Sequence, residues 1–238
     1  MSGFNDVKAL LFDVFGTVVD WRSSVIHELE TFGTEKGIER DWTGFTDKWR
    51  ASYQPAMEEV RSGRSAWTIL DELHRETLIR LLDEFSISGL SKAEIDHLNR
   101  AWHRLLPWPD SVEGLQRLKS KFIIGTQSNG NIALMVNLAK HSNLAWDVIL
   151  GAETARAYKP LPESYLRNVA LLGLEPGECM LVAAHNDDLA AATALGLRSA
   201  FVLRPTEYGP DQSKDLQAEE GWDIVAKNLI EVADELGC

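Results

Sequence analysis

A chain of 238 residues, 45% hydrophobic and 25% charged, can bury a full core and has the balance of a globular rather than a disordered protein. Its net charge of −12 excludes the basic footprint that nucleic acid or an anionic membrane surface needs, and obliges any anionic small molecule to find a locally cationic pocket. Two cysteines, Cys179 and Cys238, make neither a disulfide framework nor a zinc site and suit a reducing cytoplasm, while Met1 to Lys8 carries no leader pattern and no apolar run approaches a membrane span, so a soluble cytoplasmic protein is expected.

The first element is the apolar run Val7 to Val14, ended by Gly16, which predicts a buried parallel strand with Asp13 at its C-terminal end. Ligands collect at that edge of an open α/β sheet. Gly16 lets the backbone leave the strand sharply, and Thr17 offers a hydroxyl to the carboxylate or to a ligand. Taken alone, Asp13 also reads as a turn cap, so the decision rests on what accompanies it.

Trp21 to Lys36 spaces Val25, Ile26, Leu29 and Phe32 as a helix does, with Ser23 or Ser24 as the N-cap. Amphipathic segments follow around Phe45 to Val60, Ala66 to Phe85 and Lys92 to Leu105, punctuated by Gly63, Gly89, Pro107 and Pro109. They predict an all-helical insert, and Trp42, Trp49, Trp67 and Trp102 within it read as a small helical core. After Pro109 the pattern alternates: helix Ser111 to Lys119, strand Phe122 to Thr126, helix Asn131 to His141, strand Asp147 to Ala152 and helix Pro162 to Leu172. Strand Cys179 to Ala184, helix Asp187 to Leu195, strand Ser199 to Leu203 and a closing helix near Ile224 to Leu236 complete it. Such alternation means βαβ units and a parallel sheet. Residues 1–16 and 109–238 are therefore expected to form one Rossmann-like α/β core, and 17–108 a helical cap over its active edge.

Three further strand ends carry chemistry. Gln127-Ser128-Asn129-Gly130 is an Asn-Gly turn or, beside a helix N-terminus, an anion site. Tyr158-Lys159-Pro160 offers an ammonium to the same edge, and His185-Asn186-Asp187-Asp188 sets titratable groups before a helix, one of the acids being expected as an N-cap. An Asp, a Ser-Asn pair, a Lys and an Asp pair on one face of one sheet are poorly explained as separate turn residues.

The order Asp-x-x-Gly-Thr, Ser-Asn-Gly, Tyr-Lys-Pro and a final Asp, over nearly the whole chain, resembles the haloacid dehalogenase superfamily and, within it, the type II L-2-haloacid dehalogenases. Most of that superfamily are magnesium phosphatases with Asp-x-Asp, whose second Asp protonates the leaving alcohol. Here Phe15 stands in its place, and a halide needs no proton to leave, so Phe15 favours carbon–halogen cleavage. The resemblance implies that Asp13 attacks the carbon bearing the halogen to give an aspartyl ester, which water then hydrolyses. It implies that Thr17 orients Asp13, that Ser128 and Asn129 hold the substrate carboxylate, and that Lys159 pairs with the nucleophile while Asp188 holds Lys159 and water. Tyr165 matches a tyrosine near the substrate. Arg50 matches the arginine that receives the halide, with Arg22 as a rival cation. The stretch Ala183-Ala184-His185-Asn186 departs from the family pattern: His185 replaces a halide-contacting Asn and is a candidate general base or a structural histidine, and Asn186 is a further substrate- or halide-binding candidate.

The expected function is hydrolytic dehalogenation of short 2-haloalkanoic acids to 2-hydroxy acids without a cofactor, on a small anionic substrate, in a chain whose relatives are often homodimers. The alternatives are a phosphatase with Mg²⁺ held by Asp13 and an acid among Asp187 and Asp188, and a non-catalytic binding module on the same fold.

Overall fold

The computed structural model describes residues 3–238; Met1 and Ser2, the start of the expected core segment and of the stretch read for a leader, lie outside the described residues. The strands are β1 (Ala9–Phe12), β2 (Val19–Asp20), β3 (Leu106–Pro107), β4 (Ile123–Ser128), β5 (Val148–Gly151), β6 (Cys179–Ala183), β7 (Arg198–Val202) and β8 (Ile224–Ala226). Between β2 and β3 run helices α1 (Trp21–Lys36), α2 (Trp42–Ala51), α3 (Tyr53–Arg61), α4 (Leu70–Glu84) and α5 (Lys92–Asn99), then a 3₁₀ turn, Arg100–His103. Helices α6 (Ser111–Lys119), α7 (Ile132–His141), α8 (Ala152–Ala155), α9 (Pro162–Leu171), α10 (Asn186–Thr193) and α11 (Leu229–Glu235) alternate with the later strands.

Six strands form one parallel sheet in the order β5-β4-β1-β6-β7-β8. Strand β1 sits at its centre because both its faces are apolar: Leu10 and Phe12 feed one hydrophobic cluster, Ala9 and Leu11 the other, all without solvent exposure. Burying each large side chain stabilises the fold by roughly 1.5–3 kcal/mol. From β1 the chain moves outward to β4 and β5 and then returns to β6 on the other side. That reversal opens a crevice at the C-terminal end of β1, and Phe12, in register with Thr126 and Val182, delivers Asp13 into it.

Helix α1 has its expected span, but its cap is Asp20, whose carboxylate accepts the Ser23 N–H at 3.0 Å; Ser24 instead donates its hydroxyl to Asp20 O and accepts the Leu106 N–H. The short antiparallel pair β2–β3, absent from the sequence reading, joins the two stems of the helical segment. The closing segment also differs. Ile224–Ala226 is an edge strand, its Val225 58% exposed between two buried residues, and α11 begins only at Leu229, where the Asn228 side chain caps it by accepting the Glu231 N–H. Trp42, Trp49 and Trp102 are core residues; the ring centre of Trp102 lies 5.9 Å from Phe15 and 5.6 Å from Trp49, which carries the aromatic core from the helical segment down to the sheet edge. Among the described residues no helix is long and apolar enough to cross a membrane.

Candidate active site

Because all six strands are parallel, the residues that follow them meet at one edge. Asp13 follows β1, Asn129 follows β4, Lys159 lies beyond β5, His185 and Asp188 follow β6, and Glu207 follows β7. Asp13, Asn129, Lys159, His185 and Asp188 line a cavity of about 290 Å³, shared with Phe15, Arg50, Tyr53, Tyr165 and Tyr208.

Asp13 is 7% exposed, as is Lys159, whose Nζ donates to Asp13 Oδ1 at 2.9 Å and also to Asp188 Oδ2. Burial alone would raise the Asp13 carboxyl, but the Lys159 ammonium and the His185 ring outweigh it and hold Asp13 well below the ordinary carboxylate range. Burial would likewise lower Lys159; its two carboxylate neighbours keep it above the usual lysine value. Asp188 moves the other way: burial, with Asp13 adding to it, raises the carboxyl by more than Lys159 offsets. The nucleophile candidate is thus fixed as an anion, while the second carboxyl is the better base. Thr17 completes the cradle of Asp13, its hydroxyl donating to Oδ2 at 2.8 Å while it accepts the Ala184 N–H at 2.9 Å. Tyr165 donates its hydroxyl to Asp188 Oδ1 at 2.6 Å. Asn129 accepts the Lys159 N–H through Oδ1 at 2.9 Å, which leaves its NH₂ for another partner.

Arg50 projects from α2 with its guanidinium over the Tyr53 ring at 4.3 Å and the Trp21 ring at 5.2 Å, and its buried Nη1 has no hydrogen-bond partner. A buried cationic donor without an acceptor is costly and calls for an anion. Arg22 offers no such group, since its guanidinium makes two bonds to Asp47 at 2.7 and 2.8 Å and is not part of the cavity wall.

Two expectations need correction, and the third case, His185, falls on one of the two readings left open for it. Asn186 does not face the cavity: its NH₂ goes to Asp215 and the Gln217 carbonyl, and its oxygen accepts from Glu219 N–H and Trp222 Nε1, so it staples the loop after β7. Ser128 is buried, its oxygen accepts the Gly130 N–H at 3.0 Å, and it is not among the residues that line the cavity. His185 is not a free base. Its Nδ1 lies 3.2 Å from Asp13 Oδ2 and its Nε2 2.9 Å from Glu207 Oε2, and two carboxylates acting as acceptors require both ring nitrogens to donate. Burial opposes the charged ring, but Glu207 and Asp13 outweigh it and raise His185 well above its usual value.

Glu207, Tyr208 and Lys214 come from the segment after β7, and Tyr53, Gln54 and Arg61 from α3; all were missed in the sequence. The rule that singled out the other strand ends applies equally to Arg204-Pro205-Thr206-Glu207 after β7, and would have found Glu207. Lys159, His185 and Arg50 balance Asp13, Asp188 and Glu207, Arg61 is paired with Glu58, and Asp187 offsets Lys214 in the charge count of the wall, so the attraction for an anion comes from the placement of Arg50 and Lys159 rather than from a large positive excess. The same donors bear on the magnesium alternative. Asp13 Oδ1 faces an ammonium and Oδ2 faces a hydroxyl and a doubly donating imidazole, so the nucleophile is surrounded by donors where a divalent cation needs oxygen ligands, and the set does not fit Mg²⁺.

The family model for haloacid dehalogenase-like hydrolases matches residues 7–196. This chain belongs to that family. The hydrolase is 48% identical to a defluorinating L-2-haloacid dehalogenase of known crystal structure, with a TM-score of 0.95 over 98% of this chain and 96% of that one. A second L-2-haloacid dehalogenase structure is 47% identical, with a TM-score of 0.95 over 97% of this chain and 99% of that one. In sequence, (S)-2-haloacid dehalogenase 4A of Burkholderia cepacia is 27% identical, the match covering 96% of this chain and 99% of that protein.

Proposed function

We propose that this hydrolase cleaves the carbon–halogen bond of short 2-haloalkanoic acids, haloacetates and L-2-haloacids, through an ester on Asp13, with residues 17–108 acting as cap and the remainder as core. The observation that carries the reading is a buried carboxylate fixed in its charged form inside a small cavity whose wall also bears an unpartnered arginine nitrogen.

In the first half-reaction an oxygen of Asp13 forms a bond to C2 as the carbon–halogen bond breaks, and the halide leaves with the electron pair toward Arg50. The Asn129 NH₂ and the cationic groups of the wall hold the substrate carboxylate. Phe15, Tyr53, Tyr165 and Tyr208 line the cavity in which the carbon reacts and give it an apolar wall. In the second half-reaction a water oxygen attacks Cγ of Asp13, its proton passing to Asp188. Collapse expels the 2-hydroxy acid, which carries away the ester oxygen and takes a proton from Lys159. Asp13, Lys159 and Asp188 then return to their starting states with one proton lost to solvent. The relative at 48% identity is described as defluorinating, which supports including fluoroacetate among the substrates to be tested.

The test is halide release from chloroacetate, fluoroacetate and each enantiomer of 2-chloropropionate in EDTA, for the wild type and Asp13→Asn. We expect metal-independent release with the (S) enantiomer preferred and with Asp13→Asn at least about 10³-fold slower. Release that survives Asp13→Asn, or that requires Mg²⁺, contradicts the reading.

A further inference from the structure

Glu207 lies beyond residue 196, where the family match ends, and no step above uses it. It is nevertheless built into the site. Its carboxylate is 1% exposed and accepts Trp21 Nε1 at 3.0 Å while meeting His185 Nε2 with both oxygens, at 3.1 and 2.9 Å. Gly16 makes room for it: a Cβ on Gly16, which has φ +88°, would overlap the Glu207 carboxylate. The turn that presents the nucleophile is thus shaped to admit a carboxylate behind His185.

The two oxygens of Asp13 are consequently unlike. Oδ2 accepts the Thr17 hydroxyl at 2.8 Å and forms an ion pair with His185 Nδ1 at 3.2 Å, and Thr17 can point its single proton only at Asp13 because its oxygen accepts the Ala184 N–H. Oδ1 faces Lys159 alone. We infer that Oδ1 is the attacking oxygen and that His185, oriented by Glu207, joins Thr17 in holding Oδ2 as the oxyanion when water attacks the ester.

The inference rests on the ester route proposed above. Alkylation forms the Oδ1–C2 bond and leaves Oδ2 as the ester carbonyl. Water adds to Cγ, the carbonyl π pair moves onto Oδ2, and the Nδ1–H and Oγ1–H bonds strengthen as that charge develops. Collapse returns the pair and breaks the Cγ–Oδ1 bond. His185 is then a catalytic residue of the hydrolytic step, and Glu207 a positioning residue that acts through it. Preorganised donors of this kind contribute most where charge appears only in the transition state, so removal should slow hydrolysis far more than alkylation.

The experiment mixes enzyme with excess chloroacetate, follows chloride by rapid quench and reads the protein by intact mass, for the wild type, His185→Gln and Glu207→Gln. Wild type should turn over without accumulating ester. Each variant should release a burst of about one chloride per active site and then continue about 100-fold more slowly, the magnitude typical of losing one oxyanion donor, with the ester trapped on the Asp13 peptide. Glu207→Gln keeps the shape of the buried side chain, so it reports even where His185→Gln folds poorly. Turnover by the wild type with no ester in either variant, or with Glu207→Gln hydrolysing at the wild-type rate, overturns the inference and leaves the dehalogenase reading standing. A wild type silent toward every haloacid overturns both.

Discussion

His185 shows how strongly position governs a single side chain. In the sequence it is a histidine beside two aspartates, equally readable as a base or as a structural group; in the fold it is clasped between Asp13 and Glu207 and must donate from both nitrogens. A group raised in this way adds stability that is complete below its unfolded value of about 6.5 and is lost as pH climbs through the folded value. Asp13 has the opposite sign. Its depressed carboxyl adds stability that is complete above the unfolded value of about 4 and is lost only in acid, so it does not interfere at neutral pH. The expected outcome is a melting-temperature gap between wild type and His185→Gln that is widest below about pH 6.5 and narrows as pH rises above it. Thermal melts across that range check it, and a gap independent of pH contradicts the assignment.

Between elements, α4 and α7 are joined by a small polar network that no local pattern announces. Asp71 accepts Asn131 Nδ2 at 2.9 Å and meets His103 Nε2 at 2.9 Å, while its N–H donates to Asn131 Oδ1 and Asn137 Nδ2 contacts His103 Nδ1. Asn131 stands at the N-cap position of the helix that follows Asn129, with its side chain given to Asp71 rather than to the helix, so this network ties the helical segment to the substrate loop. Asp71→Ala leaves two buried partners, Asn131 and His103, unmet and should cost about 1–3 kcal/mol, read by urea unfolding; a loss below about 0.5 kcal/mol would mean that the network is idle. The same scale explains what the sequence could tell. Asp13, Thr17, Lys159 and Asp188 were legible because each lies beyond an apolar run whose strand character is local, whereas Arg50 was reached only through the resemblance to the dehalogenase family. Glu207 was open to the same strand-end rule, but Tyr53 and Tyr208 were not, since nothing local says that α3 and the segment after β7 turn toward the cavity. The strand β8 was hidden by its length: Ile224-Val225-Ala226 is too short for a period of two to stand out from the helical pattern of α11. Asn186 misled because an amide beside a catalytic candidate looks the same whether it faces a ligand or a neighbouring loop.

Over the whole molecule, a net charge of −12 repels a haloacid, and the answer is local: Lys159, Arg50 and His185 gather on one cavity wall, with three buried carboxylates placed to fix their geometry. The parallel sheet makes this possible by bringing residues separated by nearly two hundred positions, Asp13 and Glu207, to the same edge. Both half-reactions require Asp13 to form a covalent ester, and a single turnover in heavy-oxygen water tests that most directly. With enzyme in excess over chloroacetate, the heavy oxygen should appear in the carboxylate of Asp13, found in its peptide after digestion, and the first glycolate released should carry ordinary oxygen in its hydroxyl. Heavy oxygen in the glycolate hydroxyl on the first turnover, with none on Asp13, would mean that water displaces the halide directly and would contradict the central claim.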